Sequence, residues 1–320
     1  MAELAREVVV HARAMATRIC VRAIADEVDQ AAATERAAHE AAGLFGEVER
    51  DCTRFDPTSA LMRLNRAAGR WQVVPAALFA MLAEARRAHD VTGGSFDPRV
   101  LASLVALGYA RSFAAGPATP SPAPPPHPSG PWRPRLRPAT REVHLRAEPV
   151  DLGGIGKGLS VRWAAERLRR SAANYLIEAG GDCYCAGRGP DDGLGWRVGV
   201  EDPAGGPDPV AVLRCRDAAV ATSSIRVRHW AVRGRRVHHL IDPRTGHPGG
   251  RGLLAVTVLH KDSALAEVWS KALFLRGAGG IARAAERTGI AALWVDEDEG
   301  LHASRRITPA LAWTARPVSR

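Results

Sequence analysis

Apolar positions along this chain follow two rhythms. Val8-Val9-Val10 and Ile19-Cys20-Val21 are short apolar runs and read as strands. Residues 26 to 50 are rich in Ala and Glu with apolar positions at helical spacing, which predicts a surface helix. A second helix is predicted from Pro75 to Thr92, closed by Gly93-Gly94. Strands are predicted at Glu142–Leu145, Tyr175–Glu178, Trp196–Val200, Leu253–Leu259 and Ala291–Val295. Helices are predicted at Leu159–Leu168, at Ser263–Leu275 and at 279–288. On the second of these, Ala264, Val268, Lys271 and Leu275 recur at about one-turn spacing. Strands and helices mix without strict βαβ alternation, so the expected class is α+β, with mixed sheets and flanking helices. There is no internal repeat, and residues 1–320 are expected to form a single domain.

Punctuation changes that picture at one place. Residues 114 to 138 are dense in proline, which predicts a loop or disordered insertion rather than a core element. Composition changes little: 46% hydrophobic and 24% charged residues describe an ordinary globular chain. No apolar run approaches the ~20 residues that span a bilayer. The start, Met1 to Glu7, carries acids and leads into no long apolar block, so no signal peptide is expected and the cytoplasm is the expected compartment.

The formal net charge of +10 raises a nucleic-acid partner. However, only three of the 44 basic residues are lysines, Lys157, Lys261 and Lys271, and the arginines are scattered rather than clustered. An arginine-biased composition is the favoured reading, and no nucleic-acid partner is expected. The five cysteines are an odd number, and Cys183-Tyr184-Cys185 is not a zinc spacing, so reduced, buried thiols are expected.

The chemistry centres on Asp151-Leu-Gly-Gly-Ile-Gly-Lys-Gly158, which follows a predicted strand and opens a helix. Glycines there admit a close approach to the backbone, and helix-start amides beside Lys157 favour a phosphate. The stretch is neither a Walker loop nor a clean G-x-G-x-x-G fingerprint, and a helix packed under a glycine turn competes with phosphate binding. Six further motifs accompany it in order: Phe55-Asp-Pro with Ser59 and Arg63-Leu-Asn65; Gly94-Ser-Phe-Asp-Pro98; Glu178-Ala-Gly-Gly-Asp182; Trp196 to Pro203; Ala221-Thr-Ser223; and His239-Leu-Ile-Asp-Pro-Arg-Thr-Gly246 with Pro248.

Together these resemble the ApbE family of FAD:protein FMN transferases, over about residues 7 to 295. The resemblance implies an ApbE-like, T-fold-related architecture. It also implies a magnesium-dependent activity that moves FMN from FAD onto a Thr or Ser hydroxyl of an acceptor flavoprotein and releases AMP. Attack on a pyrophosphate phosphorus builds negative charge, which a cation and fixed amides would offset. Carried over, Phe55 would stack on adenine, and Met15 would line the flavin site. Ser95, Phe96 and Asp97 would meet the nucleotide, Asp151 and Lys157 would hold it near its pyrophosphate and ribityl chain, and Ile241 would pack on the isoalloxazine. The Gly154 carbonyl would be a metal ligand. His239 is the motif histidine, a general base or a residue that only orders its loop. Asp182 and Asp242 would fix their own turns through local hydrogen bonds.

The chain departs from the family at its metal motif, where Ala264-Leu-Ala-Glu-Val-Trp-Ser-Lys-Ala-Leu-Phe274 carries Glu267 in place of Asp and Lys271 in place of Thr. The two share a helix face, and a glutamate there can still bind magnesium, although its extra methylene shifts the ion or the helix. An ammonium has donors and no acceptor, so it cannot ligate a cation while protonated. Lys271 therefore points away, pairs with Glu267 in the cation's stead, or marks a site without metal or transferase activity; the spacing fits the second best. In that case the chain would bind or hydrolyse FAD without flavinylating a protein. Two other departures are Ser224 in place of a glycine and Arg162 in place of an acid.

Overall fold

A computed structural model of the chain describes residues 6–25, 30–67 and 69–319. The helices are α1 (Ala31–Cys52), α2 (Ala60–Arg66), α3 (Ala76–Val91), α4 (Leu101–Ala106), α5 (Gly156–Leu168), α6 (Ser263–Phe274) and α7 (Ala278–Thr288). The helix expected from residue 26 has its first four positions outside the described residues, and α1 begins at Ala31.

A nine-stranded sheet organises the fold. Its order is Arg6–Ala14, Thr17–Ala25, Asn174–Ala179, Asp182–Ala186, Ala218–Ser224, Leu253–His260, Ala291–Asp296, Leu301–Ala303 and Val318–Ser319. Spatial order follows chain order, so neighbouring strands are antiparallel until the last, parallel pair. Alternation drives the pairing. In Thr17–Ala25 the buried positions are Ile19, Val21, Ala23 and Ala25. Ile19, Val21 and Ala23 pack under Ala38, Ala41 and Phe45 of α1 and Val161, Ala164 and Leu168 of α5, where small side chains let helices lie close to the sheet. Further along, Val256 and Val258 pack with Ala266, Leu273 and Phe274 of α6. The fold is α+β, as the pattern predicts, with three smaller sheets besides. The strand Asp182–Ala186 and the hairpin of His229–Val232 with Arg235–His238 were not legible as strands.

The proline-rich segment corrects an expectation. It is largely irregular, with the short strand Arg135–Arg137 at its end, but it is fastened to the core: Trp132 is fully buried in the cluster beneath α3. Its amide donates to His89 Nε2 at 3.1 Å, and the Arg99 guanidinium donates to the carbonyls of Ser129 and Gly130. An aromatic anchor among prolines does not show in a composition window.

The two polar departures fit their surroundings. Arg162 on α5 bridges Asp262, the N-cap of α6, at 2.6 Å and Glu84 of α3 at 2.9 Å. Ser224 has a negative φ, so a side chain there costs nothing. The five cysteines are free thiols, with Cys183, Cys185 and Cys215 buried.

Candidate functional site

The motifs interlock before they form a site. Asn65, at the end of α2, clamps the Val150 backbone from both sides, accepting from its N–H and donating to its carbonyl, each at 2.9 Å. The Asp151 amide donates to the Pro98 carbonyl at 2.7 Å. Thus the first two motifs fix the entry to the glycine-rich stretch. Ser59 caps α2 by accepting from the Met62 amide at 3.1 Å. Asp242 accepts from the Arg244 amide at 2.9 Å, and Gly246 and Thr245 amides return to the Asp242 carbonyl, which closes the turn after His239 and Ile241.

A cleft of about 740 Å³, counting its open mouth, lies between these segments. Phe55 stands at it, 40% exposed, with Ser95, Phe96 and Asp97 alongside. Asp151 and Gly154 contribute the glycine-rich wall, and His239, Ile241 and Lys271 the facing one. Five distant stretches of chain therefore meet around one space. A neighbouring hollow beside Gly130 and Arg133 shares only Asp97 with it.

Some side chains in the cleft are already committed. The Asp97 carboxylate is held by Arg99 at 2.7–3.2 Å. Ser95 Oγ accepts from Arg276 at 2.7 Å. His239 is free at one nitrogen. Its Nδ1 lies 3.3 Å from the Arg228 carbonyl, an atom that can only accept, so Nδ1 carries the proton and Nε2 keeps its lone pair. Burial, with the Arg228 and Lys271 charges, holds this imidazole well below the usual histidine range, so it is neutral at pH 7.

Behind the cleft lies a buried ionic quartet. Lys157 meets Asp182 at close range and Glu267 Oε1 at 3.3 Å. Lys271 reaches the same Glu267 Oε1 at 3.1 Å, from one turn along α6. The Gly158 amide donates to Glu267 Oε2 at 2.8 Å. Burial by itself would raise the Glu267 carboxyl, but the two ammonium groups and that amide lower it, so it stays ionised. Burial lowers Lys271, opposed by Glu267, while Asp182 and Glu267 outweigh the same effect on Lys157 and raise it.

The sequence profile of the ApbE family matches residues 15–294. The chain belongs to the ApbE family. It is 30% identical over 278 residues to a FAD:protein FMN transferase of Treponema pallidum (strain Nichols), covering 78% of this chain and 74% of that protein. It is 29% identical over 250 residues to one from Chlamydia trachomatis, covering 75% and 76%. An ApbE protein from Thermotoga maritima superposes with a TM-score of 0.82 at 24% identity, over 95% of this chain and 99% of that one. The flavin transferase ApbE from Vibrio cholerae does so with a TM-score of 0.76 at 25% identity, over 96% and 100%.

Family membership sharpens what the geometry changes. Met15 is not brought to the cleft; it sits at the tip of the first hairpin with φ 54° and packs against the core. Lys157 points away from the cleft into the quartet. Asp182 does not fix its own turn but holds Lys157 and accepts from the Thr222 amide at 3.3 Å. The helix-start amides are largely spent: Gly153 donates to Asp151, Ile155 and Gly156 to the Leu152 carbonyl, and Gly158 to Glu267. The protein's own carboxylate thus occupies the anion position at the start of α5.

The residues present do not fit the magnesium ion implied by the resemblance. Both Glu267 oxygens already accept from protein donors, one of them from two ammonium groups. The Lys271 stem passes beside Gly154, 3.4 Å from where a Cβ would stand. The space between Glu267 and Gly154 therefore holds an ammonium, which repels a divalent cation and cannot ligate it. Among the described residues, no three His, Cys, Asp or Glu side chains are grouped to hold a metal.

Among the lining residues that sequence reasoning missed are Arg54, Tyr109 and Arg228. Arg54 is buried at 8% exposure, with its guanidinium carbon 4.2 Å from the Phe55 ring centroid and 4.4 Å from that of Tyr109. The signal was an arginine directly before the motif aromatic, hidden in a chain with arginines everywhere.

Proposed function

We propose that this protein is a FAD:protein FMN transferase: it binds FAD in this cleft and moves the FMN half onto a Thr or Ser hydroxyl of an acceptor flavoprotein, releasing AMP. The observation that supports it most is the convergence of Phe55, Phe96, Asp151, Gly154, His239 and Ile241 on one open space, in a chain similar to proteins named for that activity. Aromatic and apolar walls suit the adenine and isoalloxazine rings, with Phe55 and Ile241 as their platforms.

The reaction needs a base, a cationic surround and access for a protein hydroxyl. The acceptor oxygen forms a bond to the FMN phosphorus as the bond from that phosphorus to the AMP phosphate oxygen breaks. The hydroxyl proton passes to His239 Nε2, which is neutral and unpartnered. Lys271, Arg54 and Arg228 supply positive charge where negative charge accumulates on the phosphoryl oxygens.

Incubating the purified protein with FAD and a Thr- or Ser-bearing acceptor flavoprotein tests this. Covalent FMN on the acceptor, seen as a mass increase with stoichiometric AMP, is the expected result. FMN and AMP formed without acceptor labelling would reassign the cleft to hydrolysis, with water in the acceptor's place. No turnover of FAD under any ionic condition sinks the proposal. No helix among the described residues is long and apolar enough to cross a membrane.

A further inference from the structure

Two cations at this cleft have donors to spare. The Lys271 ammonium carries three N–H groups, and its protein partners are the carbonyl and carboxylate oxygen of a single residue, Glu267, at 3.3 and 3.1 Å. Its side chain lines the cleft beside Gly154. Arg54 donates through Nε to Asp151 at 3.0 Å and through one terminal nitrogen to the Tyr109 carbonyl at 2.7 Å. Its other terminal nitrogen is buried with no partner. A buried guanidinium N–H left unpaired is costly, and it marks where an acceptor from outside belongs.

Charge arithmetic points the same way. Lys157, Asp182, Glu267 and Lys271 form a neutral set, two ammonium groups on two carboxylates. A divalent ion added there would meet the Lys271 charge. A diphosphate added beside it would instead gain a donor from that ammonium and another from Arg54. The amides at the start of α5 are largely spent within the chain, the one at Gly158 on Glu267.

We propose that this cleft grips the diphosphate of its nucleotide with protein cations, Lys271 and Arg54, and needs no divalent metal ion to bind it. The inference rests on the flavin dinucleotide reading above. Lys271 takes the electrostatic place of the ion, and the quartet behind it holds the ammonium in position.

Equilibrium FAD binding to the full chain, followed by flavin fluorescence, tests this in EDTA and in millimolar magnesium chloride. Riboflavin, which lacks phosphate, is the control ligand. The expected result is an FAD affinity that agrees within about twofold in the two buffers, since charge-assisted donors and not an ion hold the phosphates. Lys271→Met should weaken FAD binding by about tenfold or more while leaving riboflavin unchanged, the loss of one charged hydrogen bond. This variant should fold, because Glu267 keeps Lys157 and the Gly158 amide. Arg54→Gln should also discriminate FAD from riboflavin. FAD binding that appears only with magnesium overturns the inference and leaves the dinucleotide reading intact. FAD binding by Lys271→Met equal to that of the parent chain also overturns it. No FAD binding in either buffer removes both.

Discussion

Glu267 Oε1 lies 3.1 Å from Lys271 Nζ, one turn away on the same helix, and the carboxylate is 1% exposed. It is also the shared acceptor of Lys157 and the Gly158 amide. Glu267→Gln leaves two buried ammonium groups facing the single charge of Asp182. It should destabilise the protein by roughly 3–5 kcal/mol, the cost of stripping one partner from a buried pair. Urea denaturation measures this; a change within error would mean the quartet is solvated in solution.

His239 gives a kinetic prediction. His239→Asn should lower the transfer rate about 10²–10⁴-fold, the usual worth of a positioned base, with little change in FAD affinity. Equal losses in rate and binding would make it a loop-ordering residue instead. Because its pKa lies well below the usual value, the acid limb of the rate profile should fall below pH 6.5 rather than at it.

Stability should fall with acid for a related reason. His238 is held down to about 4 by burial and by Arg236. An unfolded histidine titrates near ~6.5, so between these values the unfolded chain takes up a proton the native residue refuses. The native state therefore loses stability as pH drops from about 6.5 towards about 4. Thermal unfolding across that window, compared with His238→Gln, should show the slope reduced in the variant.

Trp132 tests whether the proline-rich segment belongs to the core. Trp132→Ala should cost roughly 3–5 kcal/mol, typical of removing a large buried aromatic. Limited proteolysis within residues 116–131 should accelerate in the variant. Unchanged stability would return the segment to the status of a loose insertion.

Gly158 tests the seat of Glu267. A Cβ there would stand 2.4 Å from the Ser263 carbonyl oxygen, so α5 and α6 would have to part. Gly158→Ala should destabilise by roughly 1–3 kcal/mol through overpacking. It should also weaken FAD binding, because Lys271 rides on α6.

The sequence by itself determined the class of fold and pointed to several residues that line the cleft, among them Phe55, Asp151 and His239, but not to Arg54, Tyr109 or Arg228. Period-two runs such as Ile19–Val21 and period-3.6 runs such as Ser263–Phe274 follow from which faces must be buried, a local property of the chain. The i, i+4 spacing of Glu267 and Lys271 likewise fixed their shared face. Partner choice was decided only by the tertiary structure. Lys157 and Lys271 look alike in the chain, yet one is turned inward to Asp182 and the other lines the cleft. Asn65 and Val150 meet across 85 residues, and the orphan nitrogen of Arg54 exists only because Phe55, Tyr109 and Asp151 surround it. Such contacts depend on where distant backbone segments come to rest, and no local pattern encodes that distance.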